Sequence, residues 1–141
     1  MLKQPVVRTV MAISLGAIAG ALCRYYLGLG IGHLLGTAMP YGTLVVNITG
    51  CFVMGLLATL SLGQVISIHP DLRLLLLIGF LGSYTTFSSY ELDSAKLLSQ
   101  RDLQADLIYW TGSVLLGSIS LQLGITLAEW VLKKLDRDWS N

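Results

Sequence analysis

Charged residues are sparse along this chain, and the stretches between them are long and apolar. Fifteen uncharged residues separate Arg8 from Arg24, and the apolar character continues through Tyr25, Tyr26 and Leu27. From Tyr25 to Pro70 the only titratable interruptions with a possible charge near neutrality are His33 and His69. Leu74 to Tyr90 is a third uncharged run, and Leu107 to Ala128 is a fourth, of 22 residues. A helix crossing about 30 Å of hydrocarbon needs around 20 residues. The pattern therefore predicts an all-α integral membrane protein, one membrane domain over residues 1–141. Its four transmembrane helices are expected at about 9–30, 42–63, 72–98 and 106–132. Short turns at 36–40 and 68–71 join them.

Composition narrows this further. Apolar residues make up 54% of the 141, charged residues 12%, and mean hydropathy is +0.71. An ordinary soluble domain carries roughly 25% charge, so too few polar groups exist to cover a water-facing surface. A disulfide scaffold, a disordered chain and a nucleic-acid binder are excluded; the net charge of +1 offers no basic stripe for phosphates. Little chain lies outside the spans, which leaves no room for a soluble catalytic domain. His33 and His69 read as loop histidines with no Cys, Asp or Glu at ligand or triad spacing. Cys23 and Cys51 sit in apolar stretches and read as buried, inert thiols. Lys3 and Arg8 before an apolar run, with Ala17-Ile18-Ala19 inside it, imitate a signal peptide, but the apolar stretch continues past that point and is expected to stay.

Glycine changes the picture again. Many of its 15 residues fall four apart from one another or from another small residue. Ala12, Gly16 and Gly20 share one face of the first helix; Cys51, Gly55, Thr59 and Gly63 share one of the second; Ser120, Gly124 and Ala128 share one of the fourth. In lipid, helices associate where small residues let backbones touch. Four spans put both termini and the 63–72 loop on one side, with Lys3, Arg8, Arg73, Lys133, Lys134 and Arg137. The other side has Arg24, Lys96 and Arg101, which favours a cytoplasmic N-terminus.

The third span contains an anomaly. Gly79 to Tyr90 reads Gly-Phe-Leu-Gly-Ser-Tyr-Thr-Thr-Phe-Ser-Ser-Tyr. Ser and Thr compete for backbone hydrogen bonds, and Gly lowers helix propensity by about 1 kcal/mol. A break near 82–88 is expected, with a bend in an intact helix as the alternative. Non-helical backbone at membrane depth survives only against protein or a watery cavity. Asn47, with Thr43 one turn earlier, serves either as interhelical glue or as pathway lining. Tyr109 and Ser113 share a face of the fourth helix, with Ser118 near the next turn; Tyr109 reads as an interfacial anchor or as part of a polar track. All these groups donate hydrogen bonds and none carries charge, and Phe80, Phe87 and Tyr90 add electropositive ring edges. No acid sits at the centre of helices one, two or four. A donor-rich, acid-poor lining suits a small anion losing its water.

Three motifs carry a resemblance: Gly16-x-x-x-Gly20-Ala21-x-x-Arg24-Tyr25, Asn47-x-x-Gly50-x-Phe52-x-x-Gly55, and Gly79-Phe80-x-Gly82-x-x-Thr85-Thr86-Phe87-Ser88. In this order and spacing, over about residues 10–130, the sequence resembles the Fluc (CrcB) fluoride channel family. The resemblance implies an antiparallel, dual-topology homodimer in a prokaryotic plasma (inner) membrane, letting fluoride leave the cytoplasm passively. It puts Asn47, Phe87, Tyr90, Thr43, Ser88, Tyr109 and Ser113 on the ion pathway. Tyr90 stands where the family carries a second phenylalanine. Backbone carbonyls of Gly82 and Thr85 resemble the family's ligands for a structural Na⁺ at the dimer centre. Arg24 matches a family arginine, and Asp93 lies near where the family tends to carry an acid, neither with a role derivable from the residues. Two rival readings remain at this level: a small dual-topology, proton-coupled exporter using Glu91 or Asp93, and a membrane scaffold whose glycines serve packing alone.

Overall fold

The structure is a computed structural model describing residues 4–36, 38–63 and 68–139; Lys3 and Thr37 lie outside them. Four stretches are long and apolar enough to cross a membrane: Val6–Leu35, Tyr41–Leu62, Pro70–Ser99 and Leu103–Arg137. The protein is thus an all-helical, multi-pass membrane protein. Helices α1 (Gln4–Leu35) and α2 (Tyr41–Leu62) are continuous, as is α6 (Leu103–Trp139). The third span is composite: α3 (Pro70–Arg73), a π-helix (Leu74–Leu81), α4 (Gly82–Tyr84), an extended Thr85–Thr86 link, and α5 (Phe87–Ser99).

Small residues set who packs on whom. A side chain added at Gly16 or Gly20 of α1 would strike the backbone of Leu75 or Phe80 in the π-helix, and one added at Gly79 would strike Ile13. Likewise Gly55 of α2 lies on the backbone of Leu121, and Gly124 of α6 on that of Phe52. Ala128 is fully buried in the same seam, and Ser120 donates to the Ile48 carbonyl at 2.8 Å. Backbone approach of this kind is what drives association in lipid, where hiding Leu gains little. The first half of the third span packs on α1, the second half, α5, packs on α6, and α2 runs along α6. The interruption at Thr85 and Thr86 is where the chain changes partner.

Tight backbone turns close α1 and α5. Gly36 ends α1 at φ +81°, the left-handed conformation that only glycine adopts without strain, its N–H on Gly32 O at 3.0 Å. Arg101 closes α5 at φ 61°, with Asp102 N–H on Leu97 O and Arg101 N–H on Leu98 O at 3.2 and 2.9 Å. This double bond pattern is a Schellman closure. At the opposite end, Arg8 is paired with Asp71, which ties the start of α1 to the start of α3.

Three expectations need correcting. His33 lies in the last turn of α1, not in a loop. His69 does have an acidic neighbour: its Nδ1 accepts the Asp71 N–H at 3.2 Å, capping α3, and stands 3.7 Å from the carboxylate. Cys23 is exposed and Cys51 only half-buried, because α1 turns the Cys23 edge outward when its glycine face meets the π-helix.

Candidate functional site

The site is assembled around the interrupted third span. Asn47 accepts the Thr86 N–H at 2.8 Å and returns a hydrogen bond from Nδ2 to the Thr86 carbonyl at 3.0 Å. In a continuous helix that amide would serve the Gly82 carbonyl. The carboxamide replaces the missing helical bonds, and this is how polar backbone persists at membrane depth. Thr86 also starts α5: its hydroxyl accepts the Ser89 N–H at 3.2 Å. Of the two sequence readings of Asn47, the glue role is present. Among the described residues one of its two N–H groups has no acceptor.

Beyond the link, α5 presents aromatic rings to α6. The Phe87 ring is exposed and lies 5.7 Å from Tyr90, which is buried and lies 5.3 Å from Tyr109. The Tyr90 hydroxyl donates to the Trp110 carbonyl at 3.2 Å. Tyr109 is 1% exposed, yet neither its hydroxyl nor the buried Ser113 hydroxyl has a hydrogen-bond partner among the described residues. The Thr43 side chain comes within reach of the Tyr109 hydroxyl without meeting the geometry of a hydrogen bond to it, and Asp93 and Tyr90 are its electrostatic neighbours. Asn47, Thr86, Phe87, Tyr90 and Ser113 line one cavity of about 470 Å³. A second hollow, of about 690 Å³, shares Thr86 and is lined by Arg24, His33, Thr43 and Ser89.

Other expected residues are placed differently. Thr43 donates to Asp93 at 2.7 Å, and Asp93 stands 3.4 Å from Lys96, so this carboxylate is already engaged. Glu91 is exposed. Ser88 is exposed, its hydroxyl 3.3 Å from that of Thr86, and it does not line the 470 Å³ cavity. Phe80 does not join Phe87 and Tyr90; it stacks on Tyr84 at 5.7 Å, on the face towards α1. Ser118 is exposed, and its hydroxyl is spent on its own helix, donating to Val114 O at 2.8 Å. The Thr85 hydroxyl bonds back to Leu81 O at 2.9 Å, and Gly82 is exposed with open space beyond its Cα. Sequence reasoning passed over Ser94 and Asp106, which are buried and hydrogen-bonded one turn beyond Tyr90 and Tyr109. The available signal was an acid three residues before Tyr109, at the start of an otherwise uncharged span.

Chemically the cavity offers the unpartnered Ser113 hydroxyl, an amide N–H and aromatic edges, with no carboxylate in its lining, while the unpartnered Tyr109 hydroxyl lies outside that lining, behind Tyr90. Comparison with known proteins bears on what such a lining is for. Residues 11–125 match the family described as CrcB-like protein, Camphor Resistance (CrcB). A protein of Trichormus variabilis named fluoride-specific ion channel FluC is 55% identical over 127 residues, 90% of this chain and 93% of its own. Proteins of the same name from a Synechococcus species and from Rhodospirillum centenum are 48% and 42% identical, covering 88% and 85% of this chain and 95% and 94% of theirs.

Proposed function

The chain belongs to the CrcB-like protein family, and on that premise we propose that it is a fluoride channel, through which fluoride leaves the cytoplasm passively down its electrochemical gradient. The observation that carries this reading is the pair of buried, unpartnered hydroxyls, Tyr109 and Ser113, beside a cavity lined by Asn47, Phe87 and Tyr90. A buried donor without a partner is costly, and it is retained where a passing ion supplies the acceptor. Fluoride is small and tightly hydrated, so a path must replace water's hydrogen bonds while holding the ion weakly enough to release it. Neutral hydroxyl and amide donors do this; a fixed cation would hold the ion too long. The engagement of Asp93 with Thr43 and Lys96, and the exposure of Glu91, give a proton-coupled exporter no free acid in the cavity.

The same reading includes an antiparallel homodimer inserted in both orientations, in the plasma (inner) membrane of a prokaryote. Support comes from the large apolar side chains left exposed along α1 and α6 and from Gly82, open on its outer side. The Gly82 and Thr85 carbonyls suit a hard monovalent cation: the Thr86 amide that would occupy the Gly82 carbonyl is taken by Asn47. Two such pairs, one from each copy, would hold Na⁺, which would supply positive charge joining the two interruptions.

Purified protein in liposomes loaded with fluoride tests the reading. Fluoride efflux, followed with an ion-selective electrode, is expected far above that of empty vesicles, with chloride retained. Replacing Asn47 or Phe87 by Ala is expected to reduce it. Vesicles no leakier to fluoride than protein-free ones would overturn the proposal.

A further inference from the structure

Asp106 is a buried acid that lines neither the 470 Å³ cavity nor the 690 Å³ hollow. It lies in the first turn of α6, is 8% exposed, and accepts a hydrogen bond from Ser94 of α5, itself 7% exposed. A carboxylate away from water is costly unless bonded. Here the Ser94 hydroxyl and the positive end of α6 offset that cost. The position of the pair in the α5–α6 hairpin accounts for its being kept.

From the Arg101 turn, α5 and α6 run back side by side. Ser94 faces Asp106. One turn deeper, Tyr90 faces Trp110, whose carbonyl takes the Tyr90 hydroxyl at 3.2 Å. One turn deeper again, Phe87 and Ser113 line the 470 Å³ cavity together. The three pairs step in a single antiparallel register. The Asn47–Thr86 and Thr43–Asp93 bonds hold α5 to α2 and leave its register on α6 open. The Tyr90 hydroxyl bonds a backbone carbonyl, a group that every turn of α6 repeats, and the remaining α5–α6 contacts are apolar or aromatic, around Leu97 and between the Tyr90 and Tyr109 rings. Such contacts tolerate sliding, all the more in lipid, whose chains are as apolar as Leu. The interruption at Thr85–Thr86 also deprives α5 of a rigid helical connection to the rest of its span. One buried polar pair is the device that specifies register in packed helices, at some cost in stability.

We propose that the Ser94–Asp106 hydrogen bond is the register lock of the α5–α6 hairpin. Both are positioning residues: they fix Phe87 and Tyr90 against Tyr109 and Ser113, and so set how well the path discriminates fluoride from a larger halide. The proposal rests on the fluoride-channel reading.

The test compares fluoride and chloride efflux from liposomes holding the full-length wild type, S94A, D106A, D106N and the S94A/D106A double variant. Misplacement of a site by an ångström can cost about a hundredfold in rate. S94A and D106A are each expected to lower the fluoride-to-chloride efflux ratio by about tenfold or more on that scale. The double variant is expected to be no worse than either single one, because both remove one bond. D106N keeps an acceptor oxygen for Ser94 and is expected to retain the wild-type ratio. That rescue distinguishes positioning from a need for the charge. S94A deletes a single oxygen, so it decides the matter with D106N should D106A fail to insert. Wild-type ratios in S94A and D106A, or a D106N ratio as low as that of D106A, would overturn the lock while leaving the channel reading intact. A wild type that passes no fluoride would overturn both.

Discussion

A buried hydroxyl without a partner costs about 1–3 kcal/mol, and Tyr109 and Ser113 both carry one. Tyr90 carries the same chemical group in the opposite situation, bonded to the Trp110 carbonyl. Removing one oxygen from each should therefore give opposite signs. Y109F is expected to gain about 1 kcal/mol of stability and to lose fluoride flux. Y90F is expected to lose a similar amount while keeping most of its flux, because the Tyr90 hydroxyl is already spent on the Trp110 carbonyl. Thermal unfolding in detergent and liposome efflux on the same preparations read both quantities. A Y109F protein with undiminished flux would remove Tyr109 from the ion path. Much of this was legible in advance: polar residues that lipid would penalise must have a reason, and Asn47, Tyr109 and Ser113 stood out on that ground. Which hydroxyls are spent was not legible. Ser118 and Thr85 bond to their own helices and Thr43 to Asp93, and a one-dimensional pattern cannot separate such back-bonding from a free donor.

At the scale of the helix, the recurrence of small residues four apart identified the packing faces, since only backbone approach needs that spacing. It could not say which glycines touch. Gly124 rests on the Phe52 carbonyl, a backbone atom unable to step aside, whereas a side chain at Gly117 would meet Cys51 Sγ at an ordinary 3.6 Å. G124A is therefore expected to destabilise by about 1–3 kcal/mol through overpacking. G117A should be neutral or gain up to about 1 kcal/mol from helix propensity. Equal effects would show that the α2–α6 seam is looser than its geometry implies. Arg101 makes a complementary case. Held at φ 61° in the Schellman closure, it incurs about 1–2 kcal/mol of left-handed strain. R101G is expected to raise the melting temperature, because the strain relieved exceeds the unfolded-state freedom that glycine adds. An unchanged or lowered melting temperature would show that Arg101 carries no net strain there. The π-helix of Leu74–Leu81 had no sequence signature: Leu-Leu-Leu-Leu-Ile-Gly-Phe-Leu fits any buried helix, and i→i+5 bonding is not a residue preference.

For the molecule as a whole, charge decides how it lies in the membrane. α6 runs 37 residues, about 55 Å at 1.5 Å per residue, well beyond the roughly 30 Å of hydrocarbon. Its overhang carries Lys133, Lys134 and Arg137, with Lys134 Nζ 5.5 Å from the centre of the Trp130 ring, an interfacial pairing. These three, with Arg8 and Arg73, lie at the opposite end of the helices from Lys96 and Arg101. An antiparallel pair requires that this bias be weak enough for both orientations to form. Replacing Lys133 and Lys134 by Gln should shift the population towards the inverted orientation, read by protease access to a C-terminal tag from either side of sealed vesicles. Adding lysines to the 36–40 turn should drive the chain further the same way. A chain forced into one orientation should pass little fluoride. Co-expression with a chain forced the other way should restore the flux, since only then can each copy find an inverted partner. Full flux from a single-orientation population would mean that one copy, or a parallel pair, completes the path. The open face at Gly82 would then need another explanation.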